Sequence, residues 1–447
     1  MTDMTTASPA AVARNAGSLL EHGDRTRNRH ASERRFRILG LIAVGFGILA
    51  LVGLLTSILV NGVSSFRQTY VTLDVQLDEA KLDKTGNRNT EELRKVTTFV
   101  YAPLIEKALA QFIEERGIAV EGLTKKDVSG IISKEAPASL RSVVLADPSK
   151  IGGTVSFDVL TDGRIDGYYK GRVTMASAEL DRNVSPAQLK LADALKDAGA
   201  LNTRFNWDFL TAPDASDTRP EAAGLGVAIL GSAYMMLIVL ALSLPIGVAA
   251  SIYLEEFAPS NRITDTIEVN IANLAAVPSI VFGILGLAVF INFFGLPRSA
   301  PVVGGLVLTL MTLPTIIIAA RAALKAVPPS IREAALGVGA SKTQSIFHHV
   351  LPLAMPGILT GTIIGMAQAL GETAPLLMIG MVAFVTDYPA TPMDPATALP
   401  VQIFMWATLP ERGFVERTSA GIMVLLAFLV FMNAMAIWLR KKFERRW

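Results

Sequence analysis

One acidic side chain, Glu372, stands inside the apolar run from Gly357 to Val385, where no other residue is charged. A carboxylate within a membrane segment costs about 2.5–3.5 kcal/mol on insertion scales and normally faces a protein interior or a water path. Gln368 lies four residues earlier and Thr373 follows directly, so on a continuous helix Gln368 and Glu372 share one face. The pattern predicts either a polar lining for a transport path or a structural hydrogen bond between helices.

Arg321 is the candidate within the chain for a partner of Glu372. On a continuous helix, Glu372 lies about 22 Å from the end nearest Arg321, at 1.5 Å per residue. Direct pairing is therefore not expected unless a helix is broken. We expect instead a basic partner on a second membrane subunit.

Other polar residues lie in neighbouring apolar runs. Asn273 and Ser279 stand in the sequence NLAAVPS, and with Glu372 they could line the same polar path. The next run carries three threonines, Thr309, Thr312 and Thr315. Threonine hydroxyls can bond to carbonyls of their own helix, so a structural role is expected for these three.

A second pattern lies between two apolar runs, in residues 328–352. Glu333, Ala334 and Ala335 are followed, after three intervening residues, by Gly339, and then by Leu351-Pro352. Its start favours a polar, amphipathic helix, and glycine permits the tight turn that would end it. An ordinary connector could have this composition, but a polar helix is not needed to hold a membrane bundle together. We therefore expect a docking surface for a partner on the aqueous side.

No cofactor site is evident in the same stretch. The letters GVGASKT lack the Gly-Lys pair and the preceding strand of a phosphate-binding loop. His348 and His349 are adjacent, so on a helix they point about 100° apart and cannot face one metal ion. The sequence predicts neither a bound metal nor a nucleotide in this chain.

The composition is that of a membrane protein. Of 447 residues, 51% are hydrophobic and 18% charged, against about a quarter charged in soluble domains. Several uncharged runs reach the length of about 20 residues that crosses a bilayer. A net charge of +2 gives no indication of nucleic-acid binding, and the absence of cysteine excludes disulfides and thiolate sites.

These runs divide the chain. Residues 1–35 are predicted to be a disordered basic tail, 36–61 a first transmembrane helix, 62–222 an extracytoplasmic domain and 223–447 a five-span domain. Arginines next to the first span favour a cytoplasmic N-terminus, which explains their position better than a nucleic-acid tail does, and six crossings return the C-terminus to the cytoplasm. The later spans are predicted at Leu225 to Tyr253, Val269 to Phe294, Pro301 to Ala320, Gly357 to Val385 and Thr418 to Leu439.

The block 62–222 reads as a small α+β domain. Alternation over Val71 to Leu77 predicts a strand, and two helices are expected at Thr90 to Arg116 and at Ser185 to Asp197, with Ser185 as N-cap. Thr154 to Leu160 and Ile165 to Val173 are predicted to form a hairpin around Asp162-Gly163. The predicted fold is thus an all-α polytopic membrane protein of six helices with an α+β insert.

The spacing in 328–352 resembles the EAA loop of ABC-importer permeases, with His349 where that pattern has an aliphatic residue. Together with NLAAVPSIVFGILGLAVF, GETAPLL and ALPVQIF, it makes residues 223–447 similar to the PstA-type permease family of phosphate-specific ABC importers. The 62–222 block resembles an added domain of longer members.

The resemblance implies a transport subunit without catalytic residues of its own, in a bacterial inner membrane. Its partners would be a PstC-type sister permease, a PstB-type ATPase dimer that binds ATP and Mg²⁺, and an extracytoplasmic PstS-type phosphate-binding protein. Glu333, Ala334, Ala335, Gly339 and Leu351-Pro352 would couple the chain to the ATPase.

Three alternatives stay open from the sequence. One is a permease for another oxyanion, such as molybdate or sulfate, or for an amino acid. Another is a membrane-anchored sensor or scaffold that uses the 62–222 domain, although five further spans exceed what an anchor needs. A membrane enzyme is disfavoured, because no paired carboxylates, metal-ligand spacing or nucleophile–base pair stands out.

Overall fold

A computed structural model describes residues 24–83 and 85–443 of the chain. The chain divides into two compact units, residues 1–57 and residues 58–447. The first long helix, α1, spans Asp24–Gly62, so the predicted disorder of 24–35 is wrong, while residues 1–23 lie outside the described part. Once a span is helical, each further residue adds a hydrogen bond at little cost, and the polar residues before it continue the helix.

Residues 67–211 form the α+β domain. Its sheet has three antiparallel strands in the order β2-β1-β3. The strands are β1 (Arg67–Gln76), β2 (Thr154–Leu160) and β3 (Leu201–Phe205). The helices are α2 (Glu79–Leu82), α3 (Thr90–Leu93), α4 (Thr98–Glu115), α5 (Lys125–Ser129), α6 (Ala136–Ala146), α7 (Gly163–Tyr169), α8 (Met175–Ala178), α9 (Pro186–Asp197) and α10 (Asp208–Thr211).

The predictions for this domain had mixed outcomes. The strand over 71–77 lies within β1 up to Gln76, and Ser185 caps α9 in a capping box with Gln188. The predicted hairpin is wrong: β2 pairs with β1, and the second half is helix α7. Asp162 caps that helix by accepting a hydrogen bond from the Arg164 amide at 2.9 Å, so the Asp-Gly pair starts a helix. The helix expected over 90–116 is divided into α3 and α4.

The remaining helices form the membrane bundle. They are α11 (Gly226–Ile252), α12 (Arg262–Ala275), α13 (Ser279–Gly286), α14 (Pro301–Lys325), α15 (Pro329–Gly337), α16 (Lys342–Ser345), α17 (Leu351–Gly371), α18 (Ala374–Met378), α19 (Leu399–Thr408) and α20 (Gly413–Phe443). Among the described residues five helices are long and apolar enough to cross a membrane, or six if the bent pair of α12 and α13 is one span. That agrees with the predicted six-span helical fold.

Helix α14 lies at the centre of the bundle, between α11 and α17. Small residues permit the close approach. A methyl group added at Gly361 would lie 2.2 Å from the Ala319 side chain, and one at Gly247 would lie 2.7 Å from Ile316. Small residues at such crossings are typical of membrane helices, because packing is the main force between them there.

Two predicted spans are broken. The third turns by 100° between α12 and α13, and the fifth ends at Gly371 instead of continuing to Val385. A proline follows each break closely, Pro278 before α13 and Pro375 within α18, and proline lacks the N–H that a continuous helix would need. Each of these runs was predicted as one span, whereas the structure has separate helices.

The two breaks lie at the same level. A methyl group built on Gly283 of α13 would be 2.6 Å from the Pro375 Cα atom, and one on Gly286 would be 3.4 Å from Ile379. The residue that comes later in α13 contacts the residue that comes later in the α18 segment, so the two helices run side by side in the same direction. Their starts, at Ser279 and Thr373, therefore lie next to each other.

The domain is fastened to the start of α20 by buried charges. The Arg417 guanidinium donates to the Pro220 and Glu221 carbonyls at 2.8 Å each and to Gln68 Oε1 at 2.9 Å. Glu416 beside it accepts from Lys170 Nζ at 2.9 Å, and Lys170 also pairs with Asp166. Each of these charged side chains is at most 6% exposed.

Burial also affects Glu221, which lies in the link between domain and bundle. Its carboxylate accepts a hydrogen bond of 2.6 Å from Ser133 Oγ, and desolvation by burial raises the pKa of Glu221 to about 7. Domain and bundle are therefore joined by a polar contact that crosses from β1 and α7 to α20.

The substitution Arg417→Met is expected to destabilise the protein by about 3–5 kcal/mol, because removing one partner leaves buried charges and carbonyls unsatisfied. Thermal unfolding in detergent measures the effect. The control Arg412→Met changes an exposed arginine nearby and should stay within about 0.5 kcal/mol of the parent. Equal shifts for both variants would contradict a fastening role for Arg417.

Candidate functional site

The EAA-like segment forms a separate short helix, α15, which lies between two turns. Pro328 and Pro329 start the helix, which ends at Gly337. Two residues later, Gly339 adopts φ +89°. That left-handed conformation suits glycine and is strained for other residues. Glu333 and Ala334 are exposed, whereas Ala335 is buried at 6%. One face of α15 thus packs on the protein while the Glu333 face is free for a partner.

After Gly339 the chain turns into α16, capped by Ser341 and Gln344, and enters α17 through the π-helical turn Ile346–Val350. Leu351 and Pro352 are half-buried in the first turn of α17. The π turn buries Ile346 and Val350 and leaves His349 exposed. Since the aliphatic contacts come from Ile346 and Val350, the histidine departs from the family pattern at an exposed position.

Arg332, the residue before Glu333, fixes α15 to the bundle. Two nitrogen atoms of its guanidinium donate to Glu256 Oε1, Nη2 at 2.6 Å and Nε at 3.1 Å. The same group donates to the Val327 carbonyl at 2.7 Å and to the Leu324 carbonyl at 2.9 Å. Arg332 therefore joins α15 to the end of α14 and to the segment that follows α11.

A second arginine continues this network. Arg321, on α14, pairs with Glu268 of α12 at 2.7 Å and with Glu255 at 3.4 Å. The expectation that Arg321 does not pair with Glu372 is thereby confirmed. Arg321 thus joins α14 to α12 and to the segment after α11, and Arg332 joins α15 to that same segment. Both arginines lie at the bundle end opposite the domain, which we call the loop side.

The sequence reading missed this network. Arg321 was considered only as a possible partner of Glu372, and no partner was predicted for Arg332. The signal was present in Glu255-Glu256, a pair of acids at the end of an apolar run. Such a pair opposite a loop with two arginines predicts ion pairs, but the partner of each acid depends on how the helices cross.

Glu372 does not lie within a helix, contrary to the prediction. It is the C-cap of α17, with extended backbone angles of φ −76° and ψ 129°, so it no longer shares a helical face with Gln368. Glu372 is half-buried and Gln368 is exposed. Within residues 24–83 and 85–443, the Glu372 carboxylate has no hydrogen bond or ion pair, which leaves it free for a partner outside the chain.

The other polar residues divide into two groups. Ser279 and Thr373 begin neighbouring helices at the paired breaks, beside Glu372, whereas Asn273 is exposed on α12, before the bend. Thr309 and Thr312 bond to carbonyls of their own helix at 2.7 and 3.1 Å, as predicted. In the described part of the chain, no cluster of three acidic or histidine side chains could hold a metal ion.

Comparison with known proteins agrees with this architecture. Residues 243–447 match the family model "Binding-protein-dependent transport system inner membrane component". A probable ABC transporter permease protein, YqgI of Bacillus subtilis, is 31% identical over 254 residues, which cover 53% of this chain and 84% of that protein. The chain belongs to the ABC transporter permease family. The permease also matches, over residues 23–179, a family model described as "Domain of unknown function (DUF3333)".

Two further relatives carry a substrate in their names. The phosphate transport system permease protein PstA of Xylella fastidiosa is 32% identical over 225 residues, or 50% of this permease and 77% of that protein. PstA 2 of Mycobacterium bovis is 32% identical over 249 residues, or 54% and 79% respectively. All three alignments leave about half of this permease unmatched.

Replacing Arg332 should loosen α15 without unfolding the permease. Hydrogen bonds to charged groups contribute about 1.5–3 kcal/mol each, so Arg332→Met should reduce the population of the anchored position by tenfold or more. In the assembled transporter, ATP hydrolysis is expected to persist while substrate transported per ATP falls.

The reversed pair Arg332→Glu with Glu256→Arg should recover part of the loss, and Arg262→Ala, which removes an exposed arginine at the same end, should change nothing. If Arg332→Met transports normally per ATP, the anchor has no role in coupling.

Proposed function

We propose that this permease is a membrane subunit of an ATP-driven importer of inorganic phosphate. The observation that carries the proposal is the coincidence of an anchored EAA-type helix with relatives named as phosphate transport permeases at 32% identity. The stretches NLAAVPSI and GETAP, which distinguish the phosphate branch by resemblance, form the two paired helix breaks. Import of another oxyanion is the second candidate, because YqgI is named only as a permease.

The proposed assembly has four further protein subunits in three roles. A PstC-type sister permease completes the path, two PstB-type ATPase subunits bind ATP and Mg²⁺, and a PstS-type protein delivers phosphate from outside. In this arrangement the loop side faces the cytoplasm, and the domain at 62–222 faces outward. Both termini of the chain are cytoplasmic. The basic residues Arg440, Lys441 and Lys442 at the end of α20 support that orientation.

Coupling in this proposal depends on α15 as a rigid connector. Its exposed Glu333 face docks into a groove on an ATPase subunit, and closure of the ATPase dimer displaces α15. Because Arg332 holds Glu256, the Leu324 carbonyl of α14 and the Val327 carbonyl just after it, the displacement passes to α14 and to the segment after α11. Nucleotide thereby shifts the population between an inward-open and an outward-open bundle.

The path is proposed to run beside the paired breaks. Backbone that is not helical at membrane depth is tolerated only when it is buried in protein or lines a water-filled cavity. Glu372 lies at this point, and its carboxylate has no partner among the residues that the structure describes. An anionic side chain repels phosphate, so we assign Glu372 to hold a cationic group of the sister permease or to gate the path. Ser279 and Thr373 supply hydroxyls at the same level, with Gln368 and Asn273 farther along.

Changes on α15 should separate ATP hydrolysis from phosphate uptake. Glu333→Lys reverses the charge of the proposed docking face, and Gly339→Asp places a side chain at φ +89°, which costs about 1–2 kcal/mol. Phosphate uptake into proteoliposomes should fall with both. Gly337→Ala is the matched control, because Gly337 is helical with open space around it and alanine fits there. Normal uptake and ATPase binding in both variants would show that this loop does not couple the subunits.

The charge of Glu372 should be essential to transport. Glu372→Gln keeps the shape and removes the charge, so we expect phosphate uptake to be lost while the complex still assembles. Asp387→Asn makes the same chemical change at an exposed loop position and should transport normally. Unchanged uptake in assembled Glu372→Gln transporter would exclude both roles assigned to this carboxylate.

A further inference from the structure

The base of the domain carries an exposed aromatic cluster. Phe205 is 47% exposed and Trp207 is 66% exposed, with ring centroids 4.7 Å apart, and Phe66 stacks on Phe205 at 6.1 Å. We call Phe66, Phe205 and Trp207 the aromatic base. Contiguous exposed apolar patches generally mark interaction sites.

The aromatic base lies where the chain meets its membrane helices. Phe66 follows α1 within a few residues, and Trp207 precedes α10, which leads to α11. Phe209 shows where the aromatic base lies along the bundle. Its ring contacts that of Phe66, and its ring centroid is 5.1 Å from the Arg417 guanidinium carbon of α20. Beyond Arg417 the helix becomes apolar from Ala420 onward. The base thus lies near the point where α20 changes from polar to apolar.

The other end of α20 carries a second aromatic side chain. Trp438 is 65% exposed, and the Lys442 ammonium lies 5.9 Å from its ring. Trp438 is 21 residues beyond Arg417 on one helix, or about 31 Å at 1.5 Å per residue. The hydrocarbon core of a bilayer is about 30 Å thick. Tryptophan is enriched at both membrane–water interfaces, because its ring is apolar and its N–H polar.

We propose that the aromatic base lies in the lipid headgroup layer on the domain side of the membrane, and that Trp438 marks the opposite interface. The occupant of this surface is the bilayer itself, since the patch is continuous with the membrane helices and lies one hydrocarbon thickness from Trp438. The domain then rests on the membrane in addition to being fastened at Arg417. The buried charges of Lys170, Glu416 and Arg417 lie at the interface, not within hydrocarbon. This inference holds whichever substrate the permease carries.

Quenching of tryptophan fluorescence by brominated lipid tests the proposal in the full-length permease. The background variant carries Trp438→Phe and Trp447→Phe, which leaves Trp207 and Trp406. Trp406 is 1% exposed in the bundle and serves as the internal reference. We expect phosphatidylcholine brominated near the headgroup end of its chains to quench the background variant, and lipid brominated near the terminal methyl group to quench it less. Adding Trp207→Phe should abolish the quenchable part. All three changes are at exposed or terminal positions, so folding should be retained.

Two results would overturn the proposal. Equal emission in brominated and plain lipid, with Trp207 open to aqueous acrylamide, would place the aromatic base in water. Emission that changes only when purified phosphate-binding protein is added, and not with brominated lipid, would assign the surface to a protein partner.

Discussion

In the proposed coupling, α15 must be fastened to the helices that it moves, and Arg332 is the residue that holds α15 to the bundle. Its guanidinium satisfies a nearly buried acid, Glu256, together with the Leu324 carbonyl at the end of α14 and the Val327 carbonyl that follows the helix. A planar guanidinium can hold several acceptors in fixed directions, which a lysine ammonium cannot. The exposed residues of α15 are therefore presented on a rigid support, and Gly339 provides the reversal that leads the chain back into α17.

The membrane imposes the second constraint. Backbone groups in hydrocarbon must be bonded within the protein, so a broken helix needs a compensating environment. Here two breaks lie side by side, with α13 and α18 packed closely through Gly283. Ser279 lies at one of these breaks, and Glu372 and Thr373 lie at the other. A path for an anion would require water and mobile polar groups at such a place, which is why Glu372 is central to the transport proposal.

The sequence predicted the helical membrane fold, the short helix at 333–335 and its end at Gly339, because these depend on local composition and on glycine's conformational freedom. It was wrong about continuity. Pro278 and Pro375 lie within long apolar runs that were each predicted as one span, whereas in the structure each run is divided into separate helices beside its proline. The hairpin at Asp162 failed for a related reason: an Asp-Gly pair can start a helix as readily as a turn. The partners of Glu255 and Glu256 depended on helix crossings that no single sequence reveals.

Substrate-specific uptake in the reconstituted transporter decides whether this permease serves phosphate import. The permease, its sister subunit, the ATPase dimer and the binding protein would be reconstituted in liposomes, and ATP-dependent accumulation of radiolabelled phosphate measured with sulfate or molybdate in excess. If the permease carries phosphate, phosphate accumulation should require both ATP and the binding protein. Neither sulfate nor molybdate should suppress it. Accumulation of sulfate or molybdate in place of phosphate would contradict this expectation.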